Sequence, residues 1–149
     1  MAIAAVILIV CYLSFSIPLS FILEHTREAY ESGDYCKCYK NAKWAALLSS
    51  EGKYLLGTLY ASGFCVTQDI PQAKKLFSAL YKNDSVKIGE TLFYDALEVS
   101  DSDKRNNKGQ QPQVLKALFL ESQSLGFKPA KKDLAELEKR NLKAEYSKP

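Results

Sequence analysis

The chain contains one histidine, one tryptophan and a single methionine, its first residue. His25 is therefore the only imidazole available as a base, and no Ser–His–Asp set, paired-carboxylate constellation or glycine-rich phosphate loop accompanies it. Strand-period alternation is missing and β-branched residues do not cluster, which argues against a sheet. No sign of charge dominates: 20 Lys and Arg stand against 17 Asp and Glu, a net charge of +3. Such a small basic excess, placed mostly toward the C-terminus, reads as a solvated helix face rather than a nucleic-acid site. Four cysteines and one distant histidine give no familiar metal-ligand spacing. The expectation is a chain that is not an enzyme, uses no cofactor or metal, and takes no nucleic acid or small-molecule substrate. Its 149 residues suit one modest domain.

One further absence is local. From Ala2 to Leu23 there is no charged residue, and Ile, Leu, Val and Phe dominate. As a helix these 22 residues would reach roughly 33 Å, close to the hydrocarbon thickness of a bilayer. Residues 1–23 are therefore expected to be a transmembrane anchor or a signal segment. Met1-Ala2-Ile3 lacks the basic start of a secretory signal, and Ser14 and Ser16 offer a mediocre cleavage site with Pro18 close behind. Cys11 does not make a lipoprotein site, because Val10 before it is too large. His25 reads as a polar residue at the membrane boundary. Glu24, His25, Arg27 and Glu28 nearly cancel in charge, so no basic cluster holds the following domain in the cytoplasm, which favours export. The expected location is membrane-anchored with the soluble part in the periplasm, or exported after cleavage.

The rest of the chain is patterned as helices. Leu56-Gly57-Thr58-Leu59-Tyr60-Ala61-Ser62-Gly63 reads as the end of one helix, and Asp69-Ile70-Pro71-Gln72-Ala73 as the start of the next. Gly57 lies inside a helix, where glycine costs roughly 1 kcal/mol against alanine, so a close neighbour is its expected reason. Gly63 follows the last periodic residue, where a left-handed cap needs no Cβ. Asp69 stands where an N-cap carboxylate accepts from the first free N–H groups, with Pro71 in the first turn. Ala73, Leu76, Phe77, Leu80 and Tyr81 then make one apolar stripe.

Together Leu56, Gly57, Tyr60, Gly63, Val66, Asp69 and Ala73 resemble the signature of the Sel-one-like repeat, a relative of the tetratricopeptide repeat. Cys65 departs from it, standing where the family has glycine. The resemblance implies an all-α short solenoid of helix-turn-helix repeats, preceded here by an N-terminal hydrophobic helix. One hairpin cannot bury its own stripe, so neighbours are required. Residues 33–46 look like the second helix of a preceding repeat, with Asp34 in the place of Asp69. Downstream, Ile88, Leu92, Phe93, Ala96 and Leu97 form another stripe. Residues 101–112 read as a long polar insertion, residues 115–126 as a degenerate repeat closed by Gly126, and Leu134, Leu137 and Leu142 as the seam of a capping helix. The solenoid would thus span residues 24–149.

A solenoid of this class binds other proteins, so the resemblance implies a non-catalytic protein-binding module, an adaptor or regulator in a complex. An immunity protein that neutralises a cognate toxin is the alternative within that class. The first helix of the clear repeat spans roughly Ser50 to Ser62, with Tyr54, Leu55, Leu59 and Phe64 assigned to the core. Lys53 and Thr58 are its expected partner-facing polar residues, Glu90 and Asp95 their counterparts on the next first helix. Tyr60 and Tyr94 are the expected aromatic contacts. In stacked repeats the turns gather at one end, which brings Cys36 and Cys65 within reach of a disulfide, while Cys38 takes the small inward position of Ala73. A thiol-redox enzyme using Cys36 and Cys38 is the remaining alternative.

Overall fold

In the computed structural model the described residues are 19–106, 112–128, 132 and 135. Most of the apolar segment with Cys11, the tip of the polar insertion and the seam of the capping helix therefore lie outside the described residues. Those described are all-helical: α1 (19–31), α2 (Tyr35–Leu48), α3 (Ser50–Ser62), α4 (Ile70–Tyr81), α5 (Ser85–Asn106) and α6 (Pro112–Ser124). Contacts divide the chain into two compact units, Met1–Leu56 and Gly57–Pro149, with the division inside α3.

The helix starts are set by short polar caps. Asp34 accepts from the Lys37 N–H at 3.1 Å, Asp69 from the Gln72 N–H at 2.9 Å and Asp84 from the Lys87 N–H at 3.2 Å. Each bond satisfies a donor the helix leaves orphaned, worth about 1 kcal/mol. Ser49 joins α2 to α3: its hydroxyl oxygen accepts from the Gly52 N–H at 2.9 Å and its own N–H donates to the Ala45 carbonyl. Between α3 and α4 the chain turns through Gly63 at φ 74° and Cys65 at φ 64°. The position where the repeat signature has glycine is thus in the left-handed region, which side chains other than glycine rarely adopt. Gln68 steadies this turn by donating to the Ala61 carbonyl at 2.8 Å.

In the first unit α2 buries small side chains, Cys38, Ala42, Ala45 and Ala46. A Cβ on Gly52 would fall 2.6 Å from the Ala45 methyl, so the backbones of α2 and α3 meet there without side chains between them. Arg27 of α1 donates from Nε to Glu51 Oε1 at 3.0 Å and from Nη2 to the same oxygen.

The second unit has the larger core: Ala61, Ala73, Phe77, Ile88, Leu92, Phe93, Ala96, Val99, Leu115, Leu118 and Phe119. A Cβ on Gly57 would lie 2.5 Å from Phe77 Cε1, which explains that glycine by the ring pressed against it. Lys74 and Glu121 form an ion pair from α4 to α6. Three sequence expectations are corrected here. Residues 101–106 continue α5 instead of leaving it, since no Gly or Pro occurs there to stop the helix. Leu97 is partly exposed and Val99 takes the core position. Tyr54 is also partly exposed, at 39%, whereas Leu55 and Leu59 are buried and Phe64 is half-buried against the core.

Candidate functional site

α5 presents two faces. Ile88, Leu92, Phe93, Ala96 and Val99 point into the core, while Val86, Glu90, Tyr94 and Leu97 follow one another at helical spacing on the opposite side and are exposed. Tyr94 is 56% exposed. Its ring meets Phe93 edge-on, with centroids 5.6 Å apart and planes at 73°. Phe93 is buried and held in turn by Phe119 and Phe127 at 5.7 and 5.2 Å. An exposed aromatic backed by a packed aromatic cluster loses little freedom on meeting a partner, which is the property of an interface anchor. Glu90, one turn away, adds a charge beside it.

Tyr60 is half-buried and packs against the core of the second unit, and Lys53 is half-buried on α3. Thr58 and Asp95 are corrected: both are 2% exposed and face each other inside the second unit, out of reach of any partner. The helical register explains it, because Thr58 lies between Leu55 and Ser62 on the inner side of α3, and Asp95 between Leu92 and Val99 on that of α5. Burial pushes the Asp95 carboxyl up to about 8, with Glu98 adding to the rise and Thr58 opposing it. Asp95 Oδ2 and Thr58 Oγ1 are both buried without a hydrogen-bond partner, and desolvation outweighs what the hydroxyl offsets. Burial thus makes Asp95 hold its proton well above the ordinary carboxylate range.

The three described cysteines are of two kinds. Cys36 and Cys65 are disulfide-bonded, and Cys38 is a free, fully buried thiol. Burial, helped by Asp34, pushes Cys38 up to about 11. An attacking thiolate is favoured by the opposite shift, so burial works against Cys38 as a redox nucleophile. Among the described residues no group of three or more His, Cys, Asp or Glu is placed to hold a metal ion, and no helix is long and apolar enough to cross a membrane.

Val86 was not singled out from sequence and Leu97 was assigned to the apolar stripe, although their positions opposite Leu92 and Val99 on a 3.6-residue period mark the outer face. The exposed apolar residues of α2, Trp44, Leu47 and Leu48, were missed as well. Comparison with known protein families, with curated proteins and with solved structures finds no match for this chain.

Proposed function

We propose that this chain is a short α-solenoid of the Sel-one-like type, tethered to a membrane through residues 1–23, that binds another protein on the extracytoplasmic side as an adaptor or regulator. The observation that carries the binding role is the outer face of α5, where Tyr94 stands exposed on a rigid aromatic cluster between Glu90 and Leu97. Aromatic side chains supply much of the binding energy at protein interfaces, and a buried support makes that energy available without an ordering cost. The disulfide-bonded Cys36 and Cys65 favour an oxidising compartment, which accords with export. The seven signature positions and the left-handed backbone at Cys65 support the repeat reading. The tether rests on the uncharged run Ala2–Leu23.

The experiment is site-specific photo-crosslinking in membranes. A photoreactive amino acid is placed at position 94 or, as a control, at exposed Lys75 on α4. The expected result is one discrete protein adduct from position 94 and none from position 75. Equal or absent adducts from the two positions would contradict a dedicated binding face on α5.

A further inference from the structure

Helix α2 is turned opposite to what hydrophobicity alone would choose. Its buried face is made of Cys38 and three alanines, while its largest apolar residues are outside: Trp44 and Leu47 are each 71% exposed and Leu48 55%. Large apolar side chains grouped on a surface mark a face that something covers. Tyr39, Lys40, Lys43, Trp44 and Leu47 line one concavity of about 450 Å³ along this helix. α2 carries Lys37, Lys40 and Lys43 and no acidic residue. The Lys43 ammonium lies 5.6 Å from the centre of the Tyr39 ring, so its stem runs along apolar surface while its charge stays outward.

Position along the chain narrows what the cover is. Glu51, three residues past Leu48, is bonded to Arg27, four residues past Leu23. That bond ties the first turn of α3, directly after α2, to the part of α1 that follows the uncharged run. Phe21, the last large aromatic of the run, is itself 60% exposed. The exposed Trp44, Leu47 and Leu48 thus precede by three to seven residues a glutamate bonded to the helix that the uncharged run leads into. A second copy of the chain is a poor occupant, because a two-fold contact would set three lysines against the same three lysines. A tryptophan and leucines flanked by lysines, beside an apolar segment, is instead the pattern of a helix lying in the headgroup layer.

We propose that the Trp44–Leu47–Leu48 face of α2 docks on the membrane surface, its apolar side chains entering the headgroup boundary and Lys40 and Lys43 meeting anionic lipid phosphates. The inference rests on residues 1–23 entering that same membrane. The contact would hold the first unit against the bilayer at a fixed orientation, where a single tether alone would leave it free to swing. Anionic lipid strengthens the docking by attracting the lysines, and salt weakens that part alone.

Trp44 is the only tryptophan, so its native fluorescence reports on this face without labelling. The full-length protein is reconstituted in phosphatidylcholine vesicles with and without phosphatidylglycerol. Their acyl chains carry bromine either near the headgroup or near the chain end, and flotation after a carbonate wash tests the tether separately. The expected result is flotation together with a loss of Trp44 emission that is greater for bromine near the headgroup. The loss should be larger with phosphatidylglycerol and should shrink in a Lys40→Glu, Lys43→Glu variant that still floats. Flotation with Trp44 unquenched by bromine and open to aqueous acrylamide would overturn the docking while leaving the tether standing. Trp44 shielded from both quenchers would overturn it in favour of a protein cover, either the chain's own first residues or another copy. Failure to float would overturn tether and docking alike.

Discussion

Asp95 should make this protein less stable as the pH rises from about 4 to about 8, and replacing it by Asn should remove that dependence. The carboxyl is buried, one oxygen has no partner, and its folded-state value stands at about 8 against an ordinary 3.8. Between those values the folded state keeps a proton that the unfolded chain has released. The unfolded state then binds fewer protons, so the slope of stability with pH is negative. Below pH 4 both states are protonated and the effect vanishes; above pH 8 both are ionised and the loss is complete. The gap from 3.8 to about 8, at about 1.36 kcal/mol per pH unit, corresponds to on the order of 6 kcal/mol. Glu98, three residues along α5, and the Thr58 hydroxyl are the groups that act on it. Asp95→Asn keeps the shape and cannot ionise. Urea unfolding of both proteins across this range, followed by far-ultraviolet circular dichroism, checks the reasoning. The two should agree near pH 4, and the variant should be the more stable by several kcal/mol near pH 8. Parallel profiles would refute it, since they would mean that the carboxylate is hydrated or paired in the folded state.

Gly57→Ala should destabilise the protein by about 2 kcal/mol in denaturant titration: the propensity gain of about 1 kcal/mol is outweighed by forcing a methyl to within 2.5 Å of the buried Phe77 ring. Asp69→Ala should cost about 1 kcal/mol of stability and Asp69→Asn only a few tenths, because the amide oxygen still accepts from the Gln72 N–H. Alkylation of the native protein followed by mass mapping should return Cys36 and Cys65 as one disulfide-linked peptide pair, and Cys38 should be labelled only after unfolding. Reduction should lower stability by on the order of 3 kcal/mol for a loop of about thirty residues.

Local signals in the sequence located the hairpin well, because they act through neighbouring atoms. Gly63, Asp69 and Pro71 mark the end of α3 and the start of α4, and the Asp34 cap marks α2 in the same way. Side-chain direction was harder. Thr58 and Asp95 read as surface groups because they are polar, yet the helical register sets them on inner faces, where they meet each other. Trp44 and Leu47 carried no signal of their own, because an apolar residue on a helix marks an inner or an outer face equally well, and α2 turns its alanines inward so that the backbone can approach Gly52. The extension of α5 through residue 106 was illegible for a different reason: charged residues without Gly or Pro sustain a helix and a loop equally well. The outer face of α5 was half legible, since Glu90 and Tyr94 were marked, Val86 was not, and Leu97 was assigned to the inner stripe.

The claim that the outer face of α5 binds a protein is tested most directly by measuring partner capture and thermal stability together for Tyr94→Ala and Tyr60→Ala. Tyr94 is exposed and Tyr60 packs on the core, so the two substitutions should behave oppositely. Tyr94→Ala is expected to abolish capture with an unchanged melting temperature, whereas Tyr60→Ala lowers the melting temperature first. Full capture by a normally folded Tyr94→Ala protein would contradict the account.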